Sequence, residues 1–202
     1  MILVGRYSSP FVRRVGISLK LLGLAFEHNP ISTITNRDAV TVFNPLGRIP
    51  ALALDQDEVL IESGAILDYL DELVGPEKSL TPAKGPERRQ VLKLIALATG
   101  VMDKALACFL ERSIRPQDKQ HQALLDRFAD QALNGLKALE DIATPDGWLW
   151  GGKLTQADIS AVAAMDFISA IWPELLPADK FPKLEALRSR ANALPAFAET
   201  RA

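Results

Sequence analysis

Three short stretches set chemically useful side chains at the edges of regular elements. In "YSSPFVRR", Ser8 and Ser9 stand directly before Pro10, where an amphipathic run begins. Serine then proline is the pattern of a helix start, with the serine at the N-cap and the proline at the first helical position. The same place gathers unpaired amides and the positive end of the helix dipole, an environment that favours an anion. Ser9 therefore reads either as a plain cap or as a hydroxyl that donates to a thiolate or carboxylate. In "NPLGRIPAL", Pro50 stands at the mouth of a strand, preceded by Arg48 and Ile49. Proline has no N–H for a ladder, so it marks a strand start or an edge. A cis Ile49–Pro50 bond would turn the Ile49 N–H and C=O outward, where a peptide-like ligand can pair with them in antiparallel fashion. From the residues alone the bond is expected to be trans, the majority isomer even before proline. In "IESGAILDYL", Ser63 opens another helix with Glu62 before it. Ser63 can give N–H and O–H to a carboxylate, and Glu62 can accept from an ammonium. A free amino acid end carries both charges. The plainer reading is a capping serine with an acidic neighbour that the dipole favours anyway.

Composition closes off other chemistries. The chain has 202 residues, enough for a buried core and one or two domains. A net charge of −2 and an aromatic content of 6% offer neither the positive field nor the stacking surface that nucleic acid needs. Cys108 is the single cysteine, which excludes an internal disulfide and suits a reducing compartment. Its default role is a buried structural thiol. His28 and His121 are the only histidines and lie far apart in sequence, so neither a metal cluster nor a nucleophile–histidine relay is expected. "MILVGRYSSP" has no basic start followed by a long apolar run, so no secretory signal is expected, and the most apolar stretch, "LKLIALATGVM", is too short to span a bilayer. A cytoplasmic location with no membrane or nucleic-acid partner is the expectation.

The elements that must position these residues alternate in the first third. Ile2–Tyr7 reads as a short buried strand. A helix from Pro10 to Gly23 presents Phe11, Val15, Leu19 and Leu22 on one face. Arg13 and Arg14 on that helix read as a solvated face. "AFEHNP" reads as a second strand and 36–43 as a short helix. "RIPALALD" and "EVLIES" read as strands joined by the hairpin-length link Asp55 to Glu58. A helix from Ser63 to Val74 follows, with Ile66, Tyr69, Leu70 and Leu73 on one face. The order βαβαββα, with a right-handed parallel crossover and an antiparallel hairpin, is a mixed four-stranded sheet with helices packed on it. "GPEKSLTPAKGP" breaks the pattern as a linker. Beyond it everything reads as helix. One apolar stripe runs through Val91, Leu94, Ile95, Ala98, Met102, Ala105 and Phe109, and another through Leu125, Phe128, Ala132, Leu136 and Leu139. A third helix opens on Thr155 and Asp158, spaced as a capping box. The divisions are 1–76, a linker 77–86, and an all-helical 87–202.

Taken together and in this order, "SSPFVRRVGISLKLLGL", "NPLGRIPAL", "ESGAILDYL" and "LTQADIS" resemble the signature segments of the glutathione transferase family. The resemblance spans nearly the whole chain and is nearest to branches carrying S-P-F or C-P-F at the first helix, as tau, omega and related bacterial members do. It implies a thioredoxin-like first domain that binds glutathione and an all-α second domain lining a pocket for a hydrophobic electrophile. By position, Ser9 matches the activating residue, with Ser8 as the backup one residue upstream. Ile49 matches the residue whose backbone holds the cysteinyl part, and Pro50 the family's cis proline. Glu62 and Ser63 match the pair that holds the γ-glutamyl end, and Arg48 a basic side chain facing the ligand. Thr155 and Asp158 match a structural cap without a catalytic role. The resemblance further implies glutathione as co-substrate, no metal, and a homodimer. Serine at position 9 cannot form a mixed disulfide, so thiol-transferase chemistry through that residue is not expected. Isomerisation, reductive removal of a leaving group, and a non-catalytic binding or scaffold role on the same fold stand as alternatives.

Overall fold

The structure is a computed structural model that describes residues 1–54, 58–177 and 179–201. The link expected at Asp55 to Glu58 thus lies mostly outside the described residues. Two compact units divide the chain: Met1–Ala83 together with Asn192–Ala202, and Lys84–Ala191.

The first unit is built on a four-stranded mixed sheet. Strands β1 (Ile2–Val4), β2 (Glu27–Asn29), β3 (Ala51–Ala53) and β4 (Val59–Ile61) stand in the order β2-β1-β3-β4. β1 pairs parallel to β2, while β3 is antiparallel to both β1 and β4. The parallel pair is joined by helix α1 (Pro10–Leu21), and β2 and β3 by helix α2 (Arg37–Phe43). Helix α3 (Ser63–Val74) follows β4. β1 is shorter than its apolar run suggests because Gly5, at φ +123°, leaves the extended conformation. Leu3 and Leu52, directly opposite each other on β1 and β3, meet Val12, Val15 and Leu19 of α1 and Ile66, Leu67 and Leu70 of α3 in the core.

Both helices turn their apolar faces slightly away from the expected ones. Val12 is fully buried in place of Phe11, and Leu67 is buried while Leu73 is half exposed. α1 is buried almost continuously from Val12 to Leu19, because one side lies in the core with the sheet and α3 and another against helix α8 (Pro195–Ala198). An ordinary amphipathic pattern does not anticipate a helix covered on more than one side.

The second unit is helical. Its long helix α4 (Gly85–Phe109) runs into a π-helical turn at Leu110–Ile114, and the helix ends before Arg115–Pro116. α4 packs against α5 (Gln122–Ile142) and α6 (Gln156–Ile171). Gly135 permits the α4–α5 approach, since a Cβ there would lie 2.5 Å from Val101 Cγ2. Helix α7 (Pro182–Asn192) has its start closed by Glu140, whose carboxylate accepts from Lys183 N and Leu184 N. Cys108 is buried, and burial pushes its thiol up from the ordinary range.

Candidate functional site

The sheet register brings the three singled-out stretches to one edge. Val4 pairs with Ala51, and Ala51 with Ile61, so one residue from each of β1, β3 and β4 forms a single row. Neighbouring strands lie about 4.8 Å apart, so the row spans about 10 Å. Immediately beyond it the chain continues into Gly5–Ser9 from β1, enters through Ile49–Pro50 into β3, and leaves β4 through Glu62–Ser63. The topology converges residues separated by more than fifty positions in sequence.

At the first of these places Ser9 is the N-cap of α1, with φ −79° and ψ 124°. Its carbonyl accepts from Arg13 N at 2.9 Å, starting the helix. Its hydroxyl oxygen accepts from Val12 N at 3.5 Å, the long limit of a hydrogen bond. Ser9 is half-buried and Ser8 exposed. Beneath this turn the Tyr7 ring stacks on His28 at 4.0 Å, and His28 Nε2 lies 2.7 Å from the Gly5 carbonyl. Burial pushes the Tyr7 phenol above its usual value, which keeps it protonated.

At the second place the Ile49–Pro50 bond is cis, against the trans expectation drawn from residues alone. The Ile49 N–H and C=O make no hydrogen bond among the described residues. Two residues that the sequence did not single out hold this loop. Asn44, fully buried, donates from Nδ2 to the Arg48 carbonyl at 2.9 Å and accepts from Leu46 N at 3.0 Å. Gly5 lets β1, α1 and the loop meet: a Cβ there would lie 2.6 Å from Val12 Cγ2 and 2.8 Å from Ile49 Cβ. The clue to Gly5 was a lone glycine between a strand and a turn.

At the third place Glu62 has φ 65° and ψ 122°, the one positive φ outside glycine among the described residues. For a side chain of this kind such a backbone costs roughly 1–3 kcal/mol and is held only by its surroundings. Ser63 follows as the first residue of α3 and is buried. Its Oγ accepts from Arg14 Nε at 3.1 Å. Arg48 and Glu62 form an ion pair at 3.3 Å, each about half exposed, which contributes little to stability.

The expected solvated face at Arg13 and Arg14 is overturned. Both are buried. Arg13 donates to the carbonyls of Thr200 and Phe197 and to Asn192 Oδ1, while Arg14 turns to Ser63. These partners lie 49 to 187 residues away in sequence, so no local pattern signals them.

The edge therefore offers a half-open hydroxyl at one helix start, a free peptide group beside a cis proline, and a serine–glutamate pair at a second helix start. That set suits an extended peptide with an anionic group and a zwitterionic end. No group of three or more metal-ligating side chains occurs among the described residues, and none of their helices is long and apolar enough to cross a membrane.

Comparison with known proteins places the chain in a family. Residues 3–78 match the family model of the glutathione S-transferase N-terminal domain, and 97–195 that of the C-terminal domain. The chain is 32% identical over 169 residues to an uncharacterised GST-like protein, YibF, of Escherichia coli, covering 84% of this chain and 82% of that one. It is 29% identical over 206 residues to the maleylacetoacetate isomerase of Pseudomonas aeruginosa, covering 95% and 91%. Among solved structures, a glutathione transferase family member from Pseudomonas fluorescens with bound glutathione aligns with a TM-score of 0.87 at 32% identity, covering 99% of this chain and 98% of that one. A glutathione S-transferase from Methylobacterium radiotolerans in complex with glutathione sulfonate aligns with a TM-score of 0.92 at 28% identity, covering 98% and 93%.

Proposed function

The chain belongs to the glutathione S-transferase family, and from that premise we propose that it binds glutathione along the β1–β3–β4 edge and ionises its thiol through Ser9. The observation that carries this reading is the Ser9 hydroxyl: it stands at the start of α1, shares the edge with Pro50 and Ser63, and among the described residues has only a 3.5 Å cap contact of its own. In that contact the oxygen accepts, so the hydroxyl proton stays available to an incoming sulfur.

The thiolate is the nucleophile, and a free thiol ionises near pH 8.5, so about 3% is ionised at pH 7. A hydrogen bond from Ser9 and the amides of the first turn of α1 favour the charged form. A lowering of about two units is worth roughly 2.7 kcal/mol and leaves most of the bound thiol ionised at neutral pH. The Ile49 N–H and C=O pair with the cysteinyl backbone. Ser63 donates to the γ-glutamyl carboxylate, Glu62 accepts from its ammonium, and Arg48 adds positive charge toward the carboxylates. The thiolate then attacks an electrophilic carbon, the sulfur–carbon bond forms, and the leaving group departs with the electron pair. No covalent intermediate on the protein is required. As in the family resemblance, the working form is a homodimer and the electrophile is small and hydrophobic.

A second reading has its own support in the near full-length similarity to a maleylacetoacetate isomerase. There the thiolate adds to a conjugated double bond, the new single bond rotates, and elimination returns glutathione unchanged. Glutathione is consumed in the first reading and regenerated in the second, so following free thiol during turnover separates them. Binding without either turnover would indicate a non-catalytic module.

The test common to both is a thiolate absorbance titration of the glutathione complex. Ser9→Ala should raise the midpoint by about two units, and Ser8→Ala should leave it in place. A midpoint that moves with Ser8 alone transfers the role to that residue. A midpoint that moves with neither removes hydroxyl activation.

A further inference from the structure

Arg14 is a buried cation placed behind the γ-glutamyl end of the site. It and Ser63 are each only 3% exposed, and Arg14 Nε donates to Ser63 Oγ at 3.1 Å. A guanidinium has donors only, so in this bond the serine oxygen is necessarily the acceptor. The single hydroxyl proton is then left for another partner. Elsewhere in the chain buried hydroxyls inside helices give that proton to the carbonyl four residues earlier: Ser18 to Arg14 and Ser160 to Gln156, each at 2.8 Å. Ser63 is the first residue of α3, and four residues before it stands Val59, in β4. That outlet belongs to a helical turn that Ser63 does not have. The guanidinium also reaches beneath the first turn of α3, where a Cβ on Gly64 would lie 3.9 Å from Arg14 Nη2. Its charge adds to the positive end of the α3 dipole.

We propose that Arg14 is a positioning residue that holds the Ser63 hydroxyl as an outward donor, and so makes the site selective for a ligand bearing a free α-carboxylate at its γ-glutamyl end. The inference rests on the glutathione reading above and goes beyond it in naming a residue that acts through Ser63. Carboxylates accept hydrogen bonds strongly, and a donor of fixed direction distinguishes a carboxylate from an uncharged or missing group at that position. Lysine in place of Arg14 keeps the charge and loses the planar fork that reaches Ser63.

The test compares S-methylglutathione with its 4-aminobutanoyl analogue, which lacks only that α-carboxylate, by calorimetric titration. The parent should prefer S-methylglutathione. Arg14→Lys should lose about tenfold in affinity for S-methylglutathione and less than about twofold for the analogue. Ser63→Ala should reproduce that pattern, and the double variant should lose no more than the larger single one. Equal weakening of both ligands by Arg14→Lys, or full additivity with Ser63→Ala, overturns the positioning role. Should Arg14→Lys not fold, the unaltered protein decides. The Arg14 Nε resonance should shift with S-methylglutathione and stay in place with the analogue; absence of a shift with either ligand overturns the inference. If the parent binds neither ligand, the glutathione reading has failed and this one falls with it. If the parent discriminates and Arg14→Lys discriminates equally well, only the inference fails.

Discussion

The starts of α1 and α6 look alike in sequence and differ in what their hydroxyls have left to give. Ser9 and Thr155 both stand before a helix as N-cap residues, and both accept from an amide of the first turn. Around Thr155 every bond is closed. Its N–H reaches Asp158 Oδ2 at 2.7 Å, its hydroxyl donates to the same oxygen at 2.9 Å, and Asp158 Oδ1 accepts from Leu149 N at 2.7 Å. Thr155 is 2% exposed and Asp158 is fully buried. Around Ser9 the N–H donates to the Arg6 carbonyl at 3.0 Å, but the half-exposed hydroxyl has one contact among the described residues, accepting at 3.5 Å, and gives its proton to none of them. A hydroxyl at a helix start marks a binding place where its proton lacks an acceptor, as at Ser9 and Ser63, and a splint where the proton is taken, as at Thr155.

The sharpest way to break this comparison is Asp158→Ala. It removes three short hydrogen bonds and strands two buried N–H groups, which should cost about 4 kcal/mol of stability. Urea denaturation measures the loss. The thiolate midpoint of the folded fraction should not move. A loss under about 1 kcal/mol would mean that the α6 start is not a closed splint.

Next in size is Ser9→Ala, where the two readouts should separate in the opposite sense. Turnover at neutral pH should fall by about 25-fold, as the two-unit rise in thiol pKa drops the ionised share from about three quarters to about 3%. Stability should change by less than about 0.5 kcal/mol, because the bond lost is already at the long limit. A loss of a full cap's worth of stability with unchanged turnover would restore the plain capping reading.

Thr155→Ala belongs between these and zero. It deletes a cap and one donor to Asp158, for about 1 kcal/mol in the same denaturation experiment, with turnover unchanged.

What was legible in advance follows the range of the interactions. α3 runs from Ser63 to Val74, as its apolar period indicates, although Glu62 and not Ser63 stands at its N-cap, and the Thr155–Asp158 box lies where its three-residue spacing puts it. These depend on neighbours within one turn. The buried roles of Arg13 and Arg14 depend on residues across the unit and look like solvated charge from within their own helix. The isomer at Ile49–Pro50 is not encoded in residue types, since both isomers share them; only the resemblance implied cis. Glu62 gives no hint of a positive φ, because glutamate is not a residue that favours one. The candidate residues were thus readable, while the groups holding them in place, Gly5, Arg14 and Asn44, were mostly silent.

The smallest expected effect appears only in acid, at a third helix start. α5 is entered through His121, whose N–H donates to Glu111 Oε1 at 2.9 Å while its Nδ1 accepts from Leu124 N at 3.2 Å. Glu111 Oε2 also accepts from Arg115 Nε at 2.7 Å. The backbone bond from His121, helped by Arg115, holds the Glu111 carboxyl below its ordinary value of 4.5. A carboxylate whose folded value is depressed binds fewer protons folded than unfolded. Its stabilising contribution is therefore present above about pH 4.5 and is lost as the pH falls through the lowered folded value. Glu111→Gln should flatten the fall in melting temperature below about pH 4.5 relative to the parent, with the neutral-pH thiolate titration unchanged. The difference between the two curves cancels groups common to both proteins. If the curves stay parallel through that range, this carboxylate does not close the start of α5, and the rule that closed starts are splints loses its second example.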